Sequence, residues 1–264
     1  MKKTRKLIEC ALLIAIATVL SFIKLVDLPY GGSITAASML PMIIISYRHG
    51  LGLGLASGLV YGVIQQLSGL NTLSWVTTWQ SVVAVILLDY VIAFAVTGFG
   101  GVFKNKVTNS AAAMSLGALL CCILRYICHV ISGCTVWAGL SIPTTAALSY
   151  SFIYNATYMI PETIVLVIAA YYLASAMDFD KEMPVRKKKE KGGIYYLAAG
   201  LFAAIALIYD TVSIFSVLQD GESGEFMLTN IVNAPWNIVA IVSAICIVFS
   251  AVFLVIARKN KVNN

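Results

Sequence analysis

The feature that most limits what this chain can become is a run of apolar stretches, each about 20 residues long, recurring from end to end and separated by turns or short basic clusters. Crossing a hydrocarbon layer of roughly 30 Å as a helix takes about 20 residues. Inside that layer a helix is one of the few ways to satisfy every backbone polar group. Composition agrees: 60% of the 264 residues are hydrophobic and 11% charged, against roughly 25% charged in soluble domains. The expected fold class is therefore all-α, a polytopic membrane helix bundle. The net charge of +6 does not point to nucleic acid, because the lysines and arginines sit in clusters between apolar runs, where they signal topology.

Apolar periodicity and its breakers predict eight helices, near 7–26, 34–47, 51–69, 79–100, 110–134, 151–176, 194–217 and 230–257. The basic start followed by an apolar run lacks a small-residue cleavage site before Pro29, so it reads as a retained first helix. If eight spans alternate, sixteen of the eighteen Lys and Arg residues fall on one side. By the positive-inside rule that side is cytoplasmic, which predicts a multi-pass cell-membrane protein with both termini inside. The charged run from Asp178 to Gly193, with Arg186, Lys187, Lys188 and Lys189, divides the chain. The expected organisation is a six-helix domain over 1–176, a cytoplasmic linker over 177–192 and a two-helix extension over 193–264.

Charged side chains in mid-membrane cost roughly 2.5–3.5 kcal/mol each on insertion scales, so those present need partners or a function. Asp89, Arg125, His129, Glu162 and Asp210 fall inside predicted helices. Arg125 and His129, four apart, share one helix face. Either Asp89 or Glu162 could neutralise Arg125, and Glu162 is assigned that structural role. His129 then stands near the outer end of its helix, at the level of Trp137, Tyr150 and Asn155, with Trp75 and Trp79 before the fourth helix. Interfacial belting accounts for Trp75 better than for Trp79. A carboxylate, an imidazole, an amide, tyrosines and a tryptophan suit a flat, heteroaromatic, positively charged ligand. Six cysteines lie mostly in apolar runs and lack paired metal-ligand spacing, so neither metal nor cofactor is expected.

Several signatures run through this pattern in order. They are Gly31-Gly32-Ser33-Ile34-Thr35 with Met39-Leu40-Pro41, Leu88-Asp89-Tyr90, and Arg125-Tyr126 with His129, Ser132-Gly133 and Trp137. Tyr150-Ser151, Tyr154-Asn155 and Tyr158-Met159-Ile160-Pro161-Glu162 follow. Over about residues 7–176 the chain resembles the thiamine-specific substrate-binding component of energy-coupling-factor transporters. The resemblance implies a six-helix core that captures thiamine near the outer face. It implies ligand contacts from Asp89, Tyr90, His129, Gly133, Trp137, Tyr150 and Asn155, with Trp79 nearby and Tyr30 on a lid. It also implies partners, a membrane coupling subunit and two cytoplasmic ATPases, docking on Ala11 and Ala15 of the first helix. The family pattern usually has glutamate where Asp89 stands, and it has no counterpart to 193–264.

The chain has no Gly-Lys dipeptide and hence no phosphate-cradling loop of the GxxxxGK[ST] type, so energy must come from a partner. The glycines at 50, 52, 54, 58 and 62 read as helix-packing positions. The alternative function is a stand-alone proton-coupled transporter of a small cationic heteroaromatic, using Asp89 or Glu162 as the titrating group. A membrane enzyme built on His129 ranks last, for want of HExxH or GxSxG.

Overall fold

The computed structural model describes residues 3–27, 32–139, 144–187, 193–218 and 228–262. It separates into two compact units, Met1–Val185 and Arg186–Asn264. The first contains α1 (Lys3–Phe22), a hairpin of β1 (Lys24–Asp27) and β2 (Ser33–Thr35), α2 (Leu40–His49) and α3 (Leu51–Ser68). It continues with α4 (Trp79–Gly101), α5 (Ser110–Gly139) and α6 (Thr144–Ala176). The second contains α7 (Gly193–Leu218) and α8 (Trp236–Val262). The chain is a polytopic helical bundle.

Six helices among the described residues, α3 to α8, are long and apolar enough to cross a membrane. The first two predicted spans come out differently. Helix α1 carries Lys3, Arg5, Lys6 and Glu9 in its first two turns, and residues 24–26, expected as its end, belong to β1. In place of a helix over 34–47, residues 33–35 pair antiparallel with β1, and a turn with Ala37 at φ 56° precedes Pro41 in the first turn of α2. Ten residues span only about 15 Å. Residues Pro41 to Tyr47 are all buried, so α2 forms the centre of the unit and has no lipid face.

Glycine allows the helices around that centre to touch through their backbones. A Cβ on Gly54 would meet Gly98 Cα at 2.9 Å, and one on Gly62 would meet the Tyr90 carbonyl oxygen at 2.7 Å. A Cβ on Gly117 would collide with the Gly100 carbonyl. The packing role thus holds for Gly54, Gly58 and Gly62 but not for Gly50 and Gly52, which have open space. Gly50, at φ 86°, makes the turn between α2 and α3 instead.

Side-chain oxygens start two of the long helices. Thr78 Oγ1 accepts from the Ser81 N–H at the head of α4, and Asn109 Oδ1 accepts from the Ala111 and Ala112 N–H groups before α5. Midway along α4 the chain makes a π-helical turn over Val85–Ile92. Such single wide turns reorient the side chains they carry. This one carries Asp89 and Tyr90.

Candidate ligand-binding site

The first unit encloses a cavity of about 650 Å³, within the size range of small-molecule sites. Two antiparallel helix stripes build its long wall. On α5, Arg125, His129, Gly133 and Trp137 recur every four residues, and on α6 Tyr154, Tyr158 and Glu162 do the same. Residues four apart stand one above another on a helix, so the stripes meet as matched levels. Trp137 lies against Tyr150 and Tyr154, with ring centroids 4.5 and 6.3 Å away. A Cβ on Gly133 would meet Ser151 and Asn155. His129 faces Tyr158 at 6.1 Å, and Arg125 Nη1 lies 3.8 Å from Glu162 Oε2.

The polar groups at the deep end are tied together. Asp89 Oδ1 accepts from His129 Nδ1 at 2.7 Å, and Asp89 Oδ2 accepts from Ser132 Oγ at 2.7 Å. With Nδ1 donating, His129 Nε2 is left to accept from Arg125 Nη2 at 3.4 Å. Arg125 also donates to Met39 Sδ and stacks over the Phe94 ring, 4.6 Å from its centroid. Glu162 Oε1 accepts from Thr35 Oγ1, linking the cluster to β2. Two carboxylates against one guanidinium leave this inner group with a surplus negative charge, below a wall of tyrosine and tryptophan. That is a setting for a cationic aromatic guest. Lys24, exposed on β1, reaches the same cavity.

Of the residues expected to form the site, Asp89, Tyr90, His129, Gly133, Trp137 and Asn155 line one cavity. Asn155 is committed within the protein: Nδ2 donates to the His129 and Ser151 carbonyls, and Oδ1 accepts from Tyr158. Tyr150 is not on the cavity wall; it backs Trp137. Trp79 is 72% exposed and stands apart from the residues that line the cavity, whereas Trp75, read as an interfacial residue, lines it. The short 3-10 turn Leu70–Trp75 before α4 presents Trp75 there, a turn that apolar periodicity does not signal. Glu162 pairs with Arg125 as expected, and both also line the cavity. Ser132 was missed, although it lies on the α5 face next to the His129 stripe. Tyr30 lies outside the described residues; β1 and β2, before and after it in the sequence, pair with each other. Ala11 and Ala15 are both exposed on one side of α1.

This fold and cavity define a class: a polytopic membrane protein whose helices wrap a small-molecule site of charged and aromatic character. Comparison with known proteins identifies the family. Residues 7–179 match the family described as thiamine transporter protein (Thia_YuaJ). The chain is 33% identical over 178 residues to the thiamine transporter ThiT of Bacillus subtilis (strain 168), spanning 63% of this chain and 88% of that protein. It is similar in fold to the solved structure of ThiT from Listeria monocytogenes, with a TM-score of 0.54 and 25% identity. That likeness covers 66% of this chain and 95% of the other. The chain belongs to the thiamine transporter family.

Proposed function

We propose that this protein captures thiamine in the 650 Å³ cavity and hands it to an energy-coupling module. The observation that carries the reading is the meeting of Asp89, His129 and Trp137 on one cavity, although they come from separate parts of the sequence. The thiazolium charge is offset by the surplus carboxylate, and the flat rings lie against Trp137 and the tyrosines of α6. Asp89, Tyr90 and His129 hold the polar edges, and Gly133 lets the ligand approach the helix backbone. Tyr150 and Asn155 act by positioning Trp137 and His129.

In this reading the coupling module is a membrane subunit with two cytoplasmic ATPases, because the chain lacks a phosphate-binding loop of its own. The exposed side of α1 with Ala11 and Ala15 is where a helix of that subunit packs, small residues allowing close approach. Both termini are cytoplasmic, and the chain performs no chemistry on its ligand.

The test is binding by the purified full chain in detergent, followed by tryptophan quenching and by calorimetry, with riboflavin and biotin as controls. Thiamine is expected to bind and the controls not to. Trp137→Ala is expected to abolish thiamine binding in both measurements. Unchanged calorimetric affinity in that variant overturns the placement of the ligand.

A further inference from the structure

The second unit has its own half-buried acid, Asp210. Within the described residues of α7, and of α8 up to Ala257, Asp210 is the only charged side chain. Both helices are long and apolar enough to cross a membrane. Asp210 lies eight residues before Leu218, and Ser243 seven residues after Trp236. At 1.5 Å per residue both stand roughly 10–12 Å below the same end of the hairpin. There Ser243 Oγ donates to Asp210 Oδ2 at 2.5 Å across the two helices, while Asp210 Oδ1 is buried with no hydrogen-bond donor among the described residues.

A carboxylate with one oxygen bare in an apolar helix pair is incomplete, because an ionised group away from water needs a partner for each oxygen. The partner must be small, since the bare oxygen is enclosed. Asp210 and Ser243 offer three oxygens between them, too few to replace the hydration shell of a metal cation. We propose that Asp210 is a proton-binding site, distinct from the cavity in the first unit, with Ser243 holding the carboxyl as Oδ1 takes up one proton from water. Addition of that proton turns the carboxylate into a neutral acid, and its release restores the charge.

Among the described residues of the second unit, few titratable groups stand near this carboxyl. Helix α7 packs on α8 and on the short turn Leu228–Asn233, and that turn carries no titratable group. On α8 the titratable residues are Cys246, one turn from Ser243, and Arg258, Lys259 and Lys261 near its far end; on α7 Tyr209 is the neighbour. The rest of the hairpin is held elsewhere, by the stacked rings of Phe202 with Phe249 and Phe253, and by Ser250 donating to the Ala199 carbonyl. The Asp210 contact is therefore the polar link at one end of a hairpin joined at the other by aromatic stacking.

The test uses the full chain in lipid nanodiscs and dicyclohexylcarbodiimide, which adds to protonated carboxyls in apolar surroundings, with adducts located by mass spectrometry. The expected result is an adduct on Asp210 whose formation rate falls about tenfold per pH unit above a single midpoint. Neither 100-fold excess thiamine nor sodium is expected to protect it, and Ser243→Ala is expected to move the midpoint. An Asp210 left unmodified at every pH, or modified at a rate independent of pH, overturns the proposal. Protection by sodium replaces the proton with a metal cation and overturns it as well.

Discussion

At the scale of single residues, the groups that matter are those the bilayer makes expensive. Asp89, Arg125, His129 and Glu162 stand out in the sequence because a charge inside an apolar run needs a reason, and the structure ties all four into one cluster. Asp89→Asn keeps the shape of the link to His129 and Ser132 but removes its charge. A hydrogen bond to a charged group is worth about 1.5–3 kcal/mol, so thiamine affinity is expected to drop roughly tenfold to a hundredfold in a calorimetric titration. Gly133→Ala brings a Cβ against Ser151, with Asn155 Nδ2 at 3.3 Å, and so disturbs the two groups that hold this part of α6 to the Val130 and His129 carbonyls of α5. Its thiamine affinity should fall with little change in expression. What the sequence hid is direction. Val85 to Ile92 are apolar except for Asp89 and Tyr90 and give no sign of the π turn that aims them, while Trp75 and Trp79 look equivalent until the turn between them is known.

At the scale of elements, the long helices were legible because length and apolarity select them directly, and α2 was not. Its apolar residues look the same whether they face lipid or protein, and its start depends on Pro41 and on strand pairing by residues far from it along any helical period. Glycines show the same dependence on context, since only the partner backbone reveals which of them are at contact points. Gly62→Ala pushes on the Tyr90 carbonyl in the π turn. Overpacking of this kind costs about 1–3 kcal/mol, so the variant is expected to melt at lower temperature and to bind thiamine less well. Arg48 offers a contrast. Its side chain is 3% exposed and bonds Glu9 and the carbonyls of Phe179 and Glu182, joining the ends of α1 and α2 to the segment after α6. Removing one partner of such a pair costs on the order of 3 kcal/mol. Arg48→Ala should lower thermal stability while leaving the thiamine affinity of the folded fraction unchanged.

At the scale of the molecule, every described residue lining the cavity falls between Ser21 and Glu162, inside the first compact unit and inside the stretch shared with the family. A chain ending near residue 185 is therefore expected to bind thiamine with the affinity of the full protein, measured by the same calorimetry, and a loss of more than about tenfold would assign the second unit a part in capture. The matched levels of α5 and α6 have one more implication. Passing from Trp137 to Glu162, the wall changes steadily from π-electron surface to fixed charge, so its two ends are not interchangeable. Turned end for end, a guest as long as the cavity exchanges contact with the indole and phenol rings for contact with the Arg125–Glu162 pair. Under the proposed function, each end of the vitamin therefore has its own surface to meet.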